Sequence, residues 1–313
     1  RAGYSAWIAT ADDPLLYEQG RDRDPGAEEA SLPPPQTWPD TGPLGLFPRG
    51  AVAGDCLHRI LEQFPFTAGE AEDPAAVTPA DLIQAELRRA GLDPELTDSV
   101  DDGLQRVLQT PLGGLLGALK LADIGSDQRL HELSFDLPVQ RVRTRDLVAA
   151  FRCDPTARFG LGYADQLEGL AVNSRGFLTG SIDLVFCDPR SGRWWVLDWK
   201  SNWIGERRSE PSEVRCGPVH YHQAAMEEQM VHHHYPLQAH LYLVALHRHL
   251  AARLPGYSAE HHLGGYVYCF LRGMPGAEGY DPDHGDAAPG RIVEAAPLLR
   301  VDALDRALGG MSA

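Results

Sequence analysis

The 313-residue chain has no run approaching the ~20 consecutive apolar residues that a helix needs to cross a bilayer. A basic-then-apolar leader pattern is also missing at the amino end. Cysteine is scarce and scattered. Cys56, Cys153, Cys187, Cys216 and Cys269 form no C-x-x-C pair, which excludes zinc-knuckle and iron–sulfur spacing and argues against a disulfide framework. Such a set fits a reducing compartment, and the expected address is the cytoplasm. Positive charge is in deficit: 28 Lys and Arg stand against 44 Asp and Glu, for a formal net charge of −16. A protein that captures nucleic acid unaided normally shows the opposite balance, because releasing counterions from phosphates takes Lys and Arg. The acidic balance leaves room for a site that binds a divalent cation, or for one that is handed its substrate by a partner. No G-x-x-x-x-G-K-[ST] loop occurs, so no ATP site of that type is expected. An initiator Met is lacking too, and Arg1-Ala2-Gly3-Tyr4-Ser5 is expected of a fragment of a longer protein.

What is present suits a folded domain. The chain is 43% hydrophobic and 23% charged, enough for one large core or two small ones, and neither disordered nor fibrous. Residues 1–46 carry a charged run, Arg21-Asp22-Arg23-Asp24, and the breaker cluster Pro33-Pro34-Pro35, and are expected to form a linker or strap. Helical spacing follows Gly50 up to Phe64-Pro65. A second helix is capped by Thr78-Pro79-Ala80-Asp81 and stops at Gly91; a third covers roughly 94–109. The pattern then changes to period two over Leu130–Leu137. Strand-like runs at Phe177–Phe186 and Trp194–Trp199 are joined by a turn-rich link. A strong helix spans Tyr235–Leu250, and Gly264–Leu271 is expected to be the final buried strand. The fold class is therefore α/β: a helical subregion over about 51–125, a small mixed sheet flanked by helices over about 129–275, and a tail, 276–313, with a short helix.

Two segments carry chemistry. Asp183 lies in the apolar run Gly180-Ser181-Ile182-Asp183-Leu184-Val185, where a carboxylate is costly unless paired or metal-bound. Asp198, fifteen residues on, lies in Leu197-Asp198-Trp199-Lys200, near the end of the next strand. Hairpin pairing brings both acids to one edge, where hard oxygen ligands suit Mg²⁺. Lys200 follows Asp198 by two and so points the same way, placed to orient a metal-bound water or stabilise charge on a phosphate. A D-x-K triplet alone occurs by chance in many proteins. Here it stands with His58 on the first helix, Glu132 in an otherwise apolar alternation, and Gln238 and Tyr242 one helical turn apart. His232-His233-His234 and His261-His262 invite a zinc reading. Consecutive helical histidines fan out by about 100°, however, and cannot all bind one ion. Arg207, Arg208, Arg215 and Arg248 lie near the motifs but form no convincing basic stripe.

The runs Ile182–Phe186, Leu197-Asp-Trp-Lys-Ser-Asn-Trp-Ile-Gly205, Tyr235–Arg248 and Glu260–Gly273, with Phe47-Pro-Arg-Gly-Ala51 upstream, resemble the carboxy-terminal nuclease domains of the RecB family. That family lies within the PD-(D/E)-x-K nuclease superfamily. The similarity runs from about residue 47 to 275, and Ile182 stands where the superfamily name has Pro. The resemblance implies a restriction-endonuclease-like core and a magnesium-dependent DNA hydrolase of exodeoxyribonuclease V type, cutting mainly single strands in double-strand-break repair and recombination. It implies metal ligation by His58, Asp183, Asp198 and the Trp199 carbonyl, with Glu132 as a further ligand. One or two ions would bind, with Mn²⁺ or Ca²⁺ as alternative occupants. It makes Asp198 and Lys200 catalytic, and sets Gln238 and Tyr242 against DNA. The implied partners are an ATP-driven helicase in the same protein, RecC-like and RecD-like subunits and a RecA-type recombinase, in the bacterial cytoplasm and without a membrane. The alternative is a non-catalytic module that docks partner subunits or helps to load the recombinase.

Overall fold

Helices dominate the early part of the chain for local reasons. In the computed structural model, which describes residues 2–8, 38–71, 77–207, 214–279 and 288–310, a two-residue strand β1 (Ala2–Gly3) and a short helix α1 (Tyr4–Ile8) come first. Helix α2 (Ala51–Gln63) opens at Gly50, whose φ of 92° is open to glycine without steric cost. A short α3 (Ala68–Ala71) precedes α4 (Pro79–Arg89), where the Thr78 side chain accepts from the Asp81 N–H at 3.2 Å and Pro79 takes the first turn. Helix α5 (Thr97–Gln109) follows a 3₁₀ turn. Leu57, Ile60, Leu61, Ile83, Leu87, Leu104 and Leu108 from these helices share one buried cluster.

The rest is built on a six-stranded sheet. A small hairpin, β2 (Pro111–Gly113) and β3 (Gly117–Lys120), leads to the long strand β4 (Arg129–Arg143). Helices α6 (Thr144–Arg152) and α7 (Leu161–Leu167) return the chain to β5 (Asn173–Cys187), antiparallel to β4, and β6 (Trp194–Lys200) follows by a turn. A minor pair, β7 (Glu206–Arg207) and β8 (Val214–Arg215), precedes α8 (Gln223–His232), α9 (Tyr235–Arg253) and the single turn α10 (Ala259–His262). Strand β9 (Leu263–Phe270) pairs parallel with β6, and β10 (Arg291–Ala295) pairs antiparallel with β9 before α11 (Leu298–Ala307). Gly264 and Gly265 are required here by close approach. A Cβ on Gly264 would lie 2.3 Å from the Trp195 indole nitrogen, and one on Gly265 would lie 1.9 Å from the Glu294 carbonyl oxygen.

Both faces of the sheet are covered. α2, α4 and α5 contribute to one hydrophobic cluster, and α6, α7, α9 and α11 to the other. The mixed sheet flanked by helices is thus the expected class. Several elements differ from the sequence reading. Gly264–Leu271 is not the last strand: β10 adds to it, and α11 buries Val301 and Leu304 against the main core, with Leu308 just past its end. β4 runs on to Arg143, beyond the clean alternation, and α6 and α7 fill a stretch left unassigned. The helical subregion includes the β2–β3 hairpin. In the segment expected to be a linker or strap, Ala2–Gly3 pair with Leu178–Thr179 and Trp7 is buried. β1, β2 and β10 are too short for a period to register. Arg21–Asp24, Pro33–Pro35 and Arg208 lie outside the described residues. Among those described, no helix is long and apolar enough to cross a membrane.

Candidate active site

The site forms where β5 parts from β6. Their pairing runs from Cys187–Trp194 to Leu184–Leu197 and stops one step before Asp183 would face Asp198. Directly opposed like charges disfavour pairing, which accounts for the stop. Further along the same edge β1 takes over at Leu178–Thr179, so residues 180–183 have no strand partner there among the described residues. Asp183 uses the gap: its Oδ2 accepts a 2.9 Å hydrogen bond from the Trp199 N–H. On the other edge of β5, Glu132 of β4 falls opposite Asp183, between the pairs His131–Leu184 and Leu133–Ile182. Glu132 has φ of 48°, a left-handed conformation that is rare for a strand residue and commonly marks a functional constraint. Arg129 steadies this end of β4. It donates to Glu70, at 2.9 Å to Oε1, and stacks on Phe66.

His58 reaches the same place from α2, whose neighbours Leu57, Ile60 and Leu61 are buried. His58 Nδ1 lies 3.4 Å from Asp183 Oδ2. Ligand atoms of His58, Glu132 and Asp183 all lie within 4.8 Å of one another, a spacing that one cation can bridge. Asp198 stands just outside this trio, drawn to Lys200, whose Nζ is 2.7 Å from its Oδ2. Lys200 also donates to Gln238 Oε1 at 3.3 Å, and Gln238 donates onward to the Tyr242 hydroxyl at 3.0 Å. The structure therefore gathers His58, Glu132, Asp183, Asp198, Lys200, Gln238 and Tyr242 at one end of the sheet.

The two aspartates are pushed in opposite directions. Burial, reinforced by the neighbouring Asp183 charge, outweighs Lys200 and raises the Asp198 pKa from 3.8 to about 7. Burial alone would depress His58, but Asp183 and Asp198 outweigh it and raise His58 to about 9. Burial opposes ionisation of Asp183 as well, yet His58, Lys200 and the Trp199 N–H keep its carboxyl below the usual range. In this arrangement the charge on Asp183 is offset by His58, Lys200 and the Trp199 N–H. An oxygen-rich donor set with one imidazole fits a hard divalent cation.

The other polar residues singled out in the sequence lie elsewhere. His233 stacks on Tyr235, and His234 Nδ1 is 3.2 Å from the Tyr163 hydroxyl. His262 meets the Ser258 backbone at a helix start. Arg248 is committed to Asp305 at 2.5 Å, Arg215 to Asp40, and Arg207 lies in β7.

The sequence as a whole is similar to known proteins. A family model of the PD-(D/E)XK nuclease superfamily matches residues 44–307. The chain belongs to this superfamily. The match starts ahead of α2 and ends in α11, so β10 and nearly all of both hydrophobic clusters lie within the nuclease unit; Trp7 and Leu308 fall outside it. Over 261 residues the chain is 36% identical to "RecBCD enzyme subunit RecB" of Mycobacterium tuberculosis (strain CDC 1551 / Oshkosh), covering 76% of this chain and 22% of that protein. The protein of the same name from Escherichia coli (strain K12) is 34% identical over 232 residues, 73% of this chain and 17% of its own length. That of Mycolicibacterium smegmatis is 33% identical over 293 residues, covering 88% and 25%. The chain spans a quarter or less of these relatives.

Two aromatic residues of this cluster escaped the sequence reading. Lys200 Nζ sits 3.8 Å above the Tyr235 ring. Tyr268, opposite Asp198 in β9, donates to Gln238 Oε1 at 2.9 Å and so fixes the amide that receives Lys200. A hydroxyl in a fully buried strand was the available signal, because such a group requires a partner.

Proposed function

We propose that the chain is a divalent-cation-dependent nuclease domain that hydrolyses DNA phosphodiesters, chiefly in single strands delivered by a helicase. The observation that carries this reading is the meeting of Glu132, Asp183 and Asp198 with His58 and Lys200 where β5 and β6 part. His58, Asp183, Asp198 and the Trp199 carbonyl would hold one or two Mg²⁺ ions, with Glu132 beside them; Mn²⁺ and Ca²⁺ suit the same donors. A bound ion of this kind acidifies a water and polarises a phosphoryl oxygen. Lys200, aimed by Gln238 and Tyr235, stabilises charge growing on the phosphate or orients the attacking water. Gln238 and Tyr242, linked to each other, line the approach for the strand.

The relatives' name, a subunit of a RecBCD enzyme, extends the reading to RecC-like and RecD-like partner subunits; the family resemblance adds a helicase portion of the intact protein, a RecA-type recombinase as a further contact, and a role in break repair in the bacterial cytoplasm. The net charge of −16 favours a delivered rather than a captured substrate. The test is cleavage of a single-stranded oligonucleotide by the chain. Cleavage is expected with Mg²⁺, and none in EDTA or with Asp198→Ala. Undiminished cleavage by that variant would remove Asp198, and with it the proposed mechanism.

A further inference from the structure

Arg272 lies in the turn just after β9 and is only 3% exposed. Its partners are main-chain carbonyl oxygens rather than carboxylates. Nε donates to Ser201 at 2.8 Å, Nη1 to Leu44 at 2.7 Å and Phe47 at 2.8 Å, and Nη2 to Pro48 at 2.7 Å. A buried guanidinium is costly unless its planar fork is satisfied, and these four bonds use it from both sides.

The partners come from two places that matter. Ser201 directly follows Lys200, and β6 carries Asp198 and Lys200 beside β9 through the pairs Asp198–Tyr268 and Lys200–Phe270. Leu44 to Pro48 lead into Gly50 and α2, which carries His58. Arg49, in the same lead-in, stacks 3.3 Å from the centre of the Trp203 ring, two residues past Ser201. Arg272 is thus the joint between the strand end holding one half of the site and the entry of the helix holding the other half.

We propose that Arg272 is a positioning residue for the metal site, setting how far His58 stands from Asp183 and Asp198 by bolting the α2 entry to the end of β6. Lysine cannot replace it. Its point-like ammonium lacks the flat, five-donor fork that spans Ser201 on one side and three lead-in carbonyls on the other.

This inference rests on the metal-site reading, and the experiment separates the two. Binding of Mn²⁺ alone to the 313-residue chain is titrated through loss of the free-ion paramagnetic resonance signal, alongside melting temperatures in EDTA. Three variants are compared with the unaltered chain. Arg272→Lys keeps the charge. Pro48→Gly keeps every donor and acceptor but loosens the lead-in. Val301→Ala, buried in the other core cluster, controls for stability loss. Both joint variants are expected to bind Mn²⁺ at least about tenfold more weakly, the usual range for losing a support of metal ligands. Val301→Ala should bind as the unaltered chain does. Unchanged affinity in the joint variants, or an equal loss in the control, overturns the positioning role. Should Arg272→Lys fail to fold, Pro48→Gly decides alone. If the unaltered chain takes up no Mn²⁺, the metal-site reading itself falls and the positioning role falls with it.

Discussion

In metal-free protein Asp198 is buried between a like charge, Asp183, and an opposite one, Lys200. Asp198→Asn removes repulsion and leaves Lys200 its bond to Gln238 and its seat on Tyr235. Its melting temperature in EDTA should equal or exceed that of the unaltered chain. The gain should be absent below the ordinary pKa of 3.8, where Asp198 already carries a proton in both states. It should grow as the pH climbs from there towards about 7, where the unfolded chain has ionised the group and the folded protein still holds the proton, and level off above that value. Lys200→Met does the reverse: it strips the cation from a buried acidic group and should cost about 3 kcal/mol in urea denaturation. Equal losses in the two variants would show that the carboxylates are not in conflict. Asp183, Asp198 and Lys200 were legible because one hairpin compresses them into a short stretch in which burial makes an acid conspicuous. His58 lies 125 positions from Asp183, and only family resemblance connects the two. The left-handed twist at Glu132 leaves no trace in an alternating pattern.

At the scale of elements, long periodic segments could be read and short ones could not. α2, α4, α9, β6 and β9 supply enough turns or alternations to register. β10 offers Arg-Ile-Val-Glu-Ala, whose identity as a strand depends on β9 lying beside it. A chain ending at residue 279 would lose β10 and α11 and uncover β9, every residue of which is buried. It should fail to fold, seen as loss of a cooperative melting transition; a folded product would return 291–307 to the status of a tail. Helix α9 carries a second liability. His240 is fully buried, its Nδ1–H donating to the Pro236 carbonyl at 2.6 Å, and burial lowers its pKa to about 3. The unfolded chain takes up that proton near the ordinary 6.5, so stability drains away as the pH falls below that value. His240→Leu should be less acid-sensitive than the unaltered chain. The difference should grow by up to about 1.4 kcal/mol per pH unit between about pH 6.5 and 3 in denaturation titrations.

For the whole molecule, net charge and site point in different directions. A surface of charge −16 repels a polyanion at long range, while the committed Arg215 and Arg248 offer little to attract one. With Ca²⁺ in place of Mg²⁺ to slow cutting, a single-stranded oligonucleotide should bind the chain no more tightly than about 1 μM at near-physiological salt. Nanomolar binding would mean that local basic groups outweigh the global field. The joint at Arg272 has a further consequence during synthesis. On the ribosome, the lead-in at 44–48 and the His58 helix emerge early, the β5–β6 hairpin much later, and the arginine that bolts them together later still. On the proposed reading, a nascent chain therefore has no assembled hydrolytic centre until residue 272 has been made, and a product stopped ahead of that residue should lack metal-dependent cleavage.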